Sequence, residues 1–174
     1  MKKGLVQVYT GEGKGKTTAA IGLAIRAAGH GLKVFICQFL KGRRTGEFIL
    51  IKKALAGKID IFQCGSEKFI ITEEDKREHR ETARRALEFS KKALVSKDYD
   101  LVILDEINVA VHLGLIDLKD VITIIESKPE SVELVLTGRN APSEIIERAD
   151  LVTEMKEIKH PFKKGIGARE GIEF

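Results

Sequence analysis

The run Thr10-Gly11-Glu12-Gly13-Lys14-Gly15-Lys16-Thr17-Thr18 interleaves glycine with charge and closes on paired hydroxyls. Glycine at alternate positions lets backbone N–H groups turn inward around a polyphosphate, and Lys16 adds a full positive charge. Thr17 offers a hydroxyl to a magnesium ion. The candidate nucleotide-binding residues are therefore Gly11, Glu12, Gly13, Lys14, Gly15, Lys16, Thr17 and Thr18. The usual signature places a glycine five residues before Gly15; that place is Thr10, and glycine comes one residue later, at Gly11. A second constellation, Asp100-Leu101-Val102-Ile103-Leu104-Asp105-Glu106, ends a buried apolar run with two carboxylates. An acid at the end of such a strand holds Mg²⁺ directly or through water, so Asp105 and Glu106 join Thr17 as metal candidates. Which acid is the direct ligand stays open. Lys16 and Glu106 are the candidate catalytic groups.

These groups need elements to hold them. The alternation Leu5, Val6, Val8, Tyr9 precedes the glycine loop, and an Ala-rich helical pattern from Thr17 to Ala28 follows it, stopped by Gly29-His30-Gly31. Strand, glycine loop and helix stand in the order a phosphate-binding loop requires, with the helix N-terminus adding partial positive charge. Arg26, the one charge inside that helix, falls on the face of Thr18 and Gly22 and is a candidate nucleoside contact. Val, Ile and Leu runs recur near 5–9, 32–39, 59–63, 100–104, 132–136 and 151–153, between helical or turn segments. Strands alternating with helices predict an α/β fold with a mostly parallel sheet and helices on both faces.

In such a sheet the loops after strands line the ligand edge. The loop Gln38-Phe39-Leu40-Lys41-Gly42-Arg43-Arg44-Thr45-Gly46 is accordingly a substrate candidate. Arg139, in Thr137-Gly138-Arg139-Asn140-Ala141-Pro142, is a candidate clamp on phosphate at the same edge, and Pro142 is expected to begin a helix running to Ala149. Thr72 opens the longest helix with Asp75 as its capping-box partner, and the helix is expected to reach about Ser96. It should bury Ala83, Leu87, Ser90 and Leu94, with Glu81–Arg85 and Glu88–Lys92 pairs and His79 on its wet side.

The 174 residues fit one domain, and 43% hydrophobic with 32% charged residues suits a globular protein. Residues 156–174 form a basic Gly- and Lys-rich tail or lid. No apolar run approaches the roughly 20 residues of a membrane span, and Met1-Lys2-Lys3-Gly4 leads into a strand, so a cytoplasmic location without membrane contact is expected. Cys37 and Cys64 end strand-like runs as small hydrophobes, not at metal spacing. The net charge of +4 is local, and with only 6% aromatic residues there is little for base stacking, so an anionic small ligand or a plain solvated face is favoured over nucleic acid.

Gly11-Glu12-Gly13-Lys14-Gly15-Lys16-Thr17-Thr18-Ala19-Ala20, Gln38-Phe39-Leu40-Lys41-Gly42, Leu104-Asp105-Glu106-Ile107-Asn108, Thr137-Gly138-Arg139, Ala149-Asp150 and the tail from Lys159-His160 to Gly171-Ile172 resemble the ATP:corrinoid adenosyltransferase family of the phosphate-loop type. The resemblance covers nearly the whole chain, displaced loop glycine included. It implies a homodimeric, RecA-like P-loop fold that transfers the 5′-deoxyadenosyl group of ATP to Co(I) of a corrinoid and releases triphosphate. It further implies Mg²⁺, or Mn²⁺ in its place, and a separate electron donor for the cobalt. Phe39, Lys41, Phe69 and Phe162 are the expected corrinoid contacts. The family often sets an aromatic pair, one a tryptophan, ahead of the long helix; this chain has Phe69 and Ile71 there and no Trp. A phosphate-loop ATPase or small-molecule kinase is the alternative, with Glu106 orienting the attacking group; its product would be ADP.

Overall fold

The computed structural model describes residues 3–65 and 72–174. Six strands form one parallel sheet in the order β3-β2-β4-β5-β1-β6. They are β1 (Val6–Thr10), β2 (Val34–Phe39), β3 (Ile59–Cys64), β4 (Leu101–Asp105), β5 (Glu133–Thr137) and β6 (Leu151–Glu154). The inner strands β2 and β4 are buried along their whole length, as parallel strands covered on both faces must be. Register pairs Tyr9 with Thr137 and Gln38 with Asp105, so the carboxyl ends of β1, β2, β4 and β5 form a level edge.

Helices cover both faces. On one, α1 (Lys16–Gly29) and α2 (Gly46–Ala54) bring Ala20, Ala24, Ala27 and Ile51 against Ile36, Ile61 and Ile103. Small side chains along α1 permit close approach to the strands. On the other face lie α3 (Glu73–Val95), α4 (Ile107–His112), α5 (Leu118–Glu126) and the single turn α6 (Ser143–Ile146), with Leu87, Leu94, Ile107, Val121 and Ile145 packed over Phe35, Val102, Leu104 and Leu134. The capping box at Thr72 forms: its hydroxyl accepts from Asp75 N at 3.1 Å, and its own N–H donates to Asp75 Oδ2 at 2.9 Å.

Several details depart from expectation. α2 begins at Gly46, where the loop read from the sequence ends; no helix is read there, because its apolar face is short and only Ile51 is buried. α6 stops four residues after Pro142 and gives way to a turn. Glu88 pairs with Lys91 at 3.0 Å and not with Lys92. His79, placed by periodicity on the wet face of α3, is 6% exposed. Cys37 is buried and Cys64 half-buried, both free thiols.

Candidate active site

The phosphate loop spans the gap between β1 and α1, and two glycines account for its shape. Gly15, at φ +121°, sits immediately before α1 in a conformation that L side chains rarely adopt. Gly13 donates its N–H to Met155 O at 2.6 Å, and a Cβ there would lie 2.7 Å from the same oxygen. The chain leaving β6 is thereby locked beneath the loop. Lys16 is buried at the start of α1 with Nζ 2.7 Å from both Gly11 O and Gly13 O. Burial holds its ammonium below the ordinary lysine value, with Glu106, Glu12 and Asp105 opposing that shift. A cation already desolvated and aimed along the loop suits a polyanionic ligand.

Asp105, 1% exposed at the end of β4, is the hub of the site. Its Oδ1 accepts from Thr17 Oγ1 at 2.8 Å and Thr137 Oγ1 at 2.6 Å. Its Oδ2 accepts from Gln38 Nε2 at 3.1 Å and lies 3.0 Å from Lys41 Nζ. Thr137 Oγ1 also accepts from Glu106 N at 2.9 Å, tying the ends of β4 and β5 together. Gln38 reaches Glu47 Oε1 at 3.1 Å, Lys41 lies 3.4 Å from the same oxygen, and Gln63 Nε2 donates to Gln38 Oε1 at 2.9 Å. One network thus joins the edges of β2, β3, β4 and β5 to the first turn of α2.

Glu106 adopts a left-handed backbone (φ +65°) between β4 and α4, which turns it away from the strand and onto the wall of a cavity of about 550 Å³. Burial, and then the Asp105 charge, push its carboxyl above the usual value, partly offset by Lys41, Lys16 and Arg139. The same cavity is lined by Gly13 to Thr18, Lys41, Glu47, Arg139 and the chain end Gly171 to Phe174. Glu47 is held below the usual carboxylate value by hydrogen bonds from Gln38 and Thr45 and by Lys41, although burial opposes them.

The structure therefore brings Gly13, Lys14, Gly15, Lys16, Thr17, Thr18, Lys41, Glu106 and Arg139 onto one cavity. Gly11 and Glu12 lie at its margin: Gly11 O accepts from Lys16, and Glu12 Oε2 lies 3.3 Å from Arg139 Nη1. Asp105 stands behind the wall, its carboxylate saturated by four donors. Arg26 is exposed on α1 outside the cavity, with its charge felt by the Tyr9 phenol. Phe39 corrects the expectation of a corrin contact: at 0% exposure its ring packs in the core on the α3 face, as an apolar residue alternating inward on a central strand does. Phe162 is 73% exposed on a short 3₁₀ turn, Pro161–Lys164. Phe69 lies outside the described residues. Sequence reasoning placed Gln38 in the substrate-candidate loop but missed Glu47. Thr45 ahead of Glu47, an uncharged polar residue before an acid in a first helical turn, was the available signal.

The donor set Thr17, Glu106 and Glu47 is all oxygen, and Thr17 spends its proton on Asp105, leaving hydroxyl lone pairs free toward the cavity. That chemistry fits a hard divalent cation bound by a few protein oxygens together with substrate phosphates.

A family model described as ATP:corrinoid adenosyltransferase BtuR/CobO/CobP matches residues 2–174. A corrinoid adenosyltransferase of Sinorhizobium sp is 42% identical over 99% of this chain and 81% of its own length. One from Pseudomonas aeruginosa is 38% identical over 99% of this chain and 85% of its own. Among solved structures, the flagellar accessory protein FlaH of Methanocaldococcus jannaschii superposes with a TM-score of 0.60 at 16% identity, covering 88% of this chain and 72% of that one. That likeness bears on the fold alone, which is the RecA-like P-loop architecture.

Proposed function

The chain belongs to the ATP:corrinoid adenosyltransferase family, and from that premise we propose that it binds ATP across the phosphate loop and transfers the 5′-deoxyadenosyl group to Co(I) of a corrinoid. The observation that carries the assignment of roles is the single cavity on which Lys16, Thr17, Glu106, Lys41 and Arg139 converge. In the reaction a cobalt–carbon bond forms at C5′, the C5′–oxygen bond breaks, and triphosphate leaves with the electron pair.

Co(I) is itself a strong nucleophile, so no serine, cysteine or general base is required. The protein's work is to hold C5′ against the cobalt and to stabilise the charge that gathers on the departing triphosphate. Lys16 and the loop amides face that triphosphate. Arg139 closes on it by exchanging Glu12 for phosphate oxygens, since its present ion pair is half exposed on both sides and weakly held. Glu106, Thr17 and Glu47 are the residues that would hold Mg²⁺ or Mn²⁺, which supplies charge neutralisation on the phosphates when bound. Asp105 orients Thr17. Lys41 and Phe162 remain the proposed corrinoid contacts, Lys41 on the cavity wall and Phe162 on the exposed tail.

We further propose a single domain whose residues 156–174 act as a lid, acting in the cytoplasm as a homodimer and receiving electrons for cobalt from a separate reductant. The exposed edge strand β6, with Leu151 and Val152 open to solvent, supports pairing of two copies. No described helix is long and apolar enough to cross a membrane. The test is incubation with ATP, Mg²⁺ and chemically reduced cobalamin. A light-sensitive alkylcobalt product with stoichiometric triphosphate is expected; ADP or inorganic phosphate without that product would replace the reading with phosphoryl transfer.

A further inference from the structure

Lys41 follows the end of β2 and returns its side chain to the sheet edge, where Nζ stands 3.0 Å from Asp105 Oδ2 and 3.4 Å from Glu47 Oε1. Its backbone is clamped there. Leu40, immediately before it, holds a left-handed conformation at φ +63°, unusual for a residue with a Cβ, and donates its N–H to Cys64 O at 2.9 Å. From the other side Gly65 packs so closely that a Cβ on it would lie 2.5 Å from both Leu40 C and Lys41 N. The position of the ammonium is therefore built by the ends of two strands.

That position is shared. Gln38 Nε2 donates to the same two oxygens, Glu47 Oε1 and Asp105 Oδ2, at 3.1 Å each, while Asp105 Oδ1 accepts from Thr17 and Thr137. The other cations on the cavity point elsewhere: Lys16 to the carbonyls of Gly11 and Gly13, Arg139 to Glu12 and Lys14 to Glu173. Among the described residues Lys41 is thus the cation in contact with Asp105 and Glu47.

We propose that Lys41 is a built-in counter-cation that competes with the divalent metal for Glu47, and that it thereby makes metal binding depend on nucleotide. The inference rests on the reading in which Thr17, Glu47 and Glu106 hold the metal together with substrate phosphates. An ammonium seated on Glu47 repels a second cation approaching the same carboxylate, and a small dication gives up its water reluctantly for a few protein oxygens alone. Bound ATP changes both sides of that competition. Its phosphates add oxygens for the metal and offer the ammonium another anion, which the flexible four-carbon stem of Lys41 can reach.

The experiment measures Mn²⁺ binding by water proton relaxation enhancement, with and without ATP and with no corrinoid present. Without ATP, Lys41→Met should bind Mn²⁺ about tenfold more tightly than the wild type, the scale of one partly screened unit charge. With ATP the difference should narrow, and Lys41→Arg should behave as the wild type does in both conditions. The double variant Lys41→Met/Glu47→Gln should lose the gain, which ties it to Glu47. A second readout is rescue: in EDTA Lys41→Met should melt below the wild type, because Asp105 loses a charged partner, and Mg²⁺ without ATP should raise the variant's melting temperature more than the wild type's. Where Lys41→Met does not fold, Lys41→Gln, which keeps a donor without the charge, carries the same expectations. Equal Mn²⁺ affinity without ATP in the wild type and the uncharged variant, or a gain that survives Glu47→Gln, would overturn the proposal and leave the metal site standing. An affinity for Mn²⁺ with ATP that Glu47→Gln leaves unchanged would remove the metal reading itself, and the proposal with it.

Discussion

Thr17 and Asp105, 88 residues apart in sequence, share a 2.8 Å hydrogen bond in which the threonine hydroxyl donates to Oδ1. The carboxylate thereby fixes which way the hydroxyl lone pairs point. Asp105 is buried behind the cavity wall, and Glu106 is turned onto that wall.

From this, Asp105→Asn should damage fold and function together. An amide presents N–H atoms to one pair of donors, either Thr17 and Thr137 or Gln38 and Lys41, and it removes the nearer of the two carboxylates that face the Lys41 ammonium, leaving Glu47 at 3.4 Å. Breaking a buried ion pair from one side costs about 3 kcal/mol, which urea unfolding would register. The magnesium concentration for half-maximal turnover should also rise. A variant of wild-type stability would show that the four contacts contribute little.

Lys16→Ala is expected to lower turnover by roughly 10²- to 10³-fold, the loss typical of one electrostatic donor to a developing charge. Two loop carbonyls, Gly11 O and Gly13 O, also lose their donor. Lys16→Arg separates these effects, because it keeps the charge but not the fit between two carbonyls 2.7 Å away on either side. Near-normal turnover in Lys16→Ala would detach the loop from the chemistry.

Gly13→Ala tests the lock between loop and sheet. Its Cβ would meet Met155 O at 2.7 Å and Lys156 C at 2.9 Å, both backbone atoms that cannot swing aside. The expected result is weaker ATP binding and increased proteolysis around residues 156–174, since the segment leaving β6 loses its anchor. Unchanged ATP affinity would mean that the loop tolerates separation from β6.

The order of strands and helices was legible because parallel strands buried on both faces leave unbroken apolar runs, as in Leu101–Leu104, and because Thr72 with Asp75 writes a helix start in local chemistry. The phosphate loop was legible for the same reason: Gly15 is required by its backbone angle. What stayed hidden depends on long-range placement. Phe39 looks like a loop aromatic until the sheet places its ring on the α3 face, and Glu47 looks like an ordinary surface acid until Gln38 and Lys41 arrive from β2. His79 sits among charges in sequence and in the core in space. No periodicity announces such single exceptions, because they arise where an element meets a particular neighbour.

Glu106→Gln should move stability and activity in opposite directions. Burial and the adjacent Asp105 raise the Glu106 carboxyl above its ordinary value, so the folded state binds this proton more tightly than the unfolded chain does. Above the folded-state value the ionised carboxylate therefore weighs against folding. Glutamine keeps the shape and the left-handed turn while removing that charge. At pH 7, without nucleotide or divalent cation, the variant should melt at a higher temperature than the wild type. The difference should shrink as the pH falls through the folded value, and it should vanish below the unfolded one, about 4.3, where the wild-type carboxyl is protonated in both states. Turnover should fall roughly 10- to 100-fold, the loss expected when a metal-holding group is weakened. Melting curves at pH 7 and pH 4 check the first half and a magnesium titration the second. A variant that melts lower than the wild type at pH 7 would show that Glu106 is stabilised by Lys16, Lys41 and Arg139 more than it is strained by burial beside Asp105.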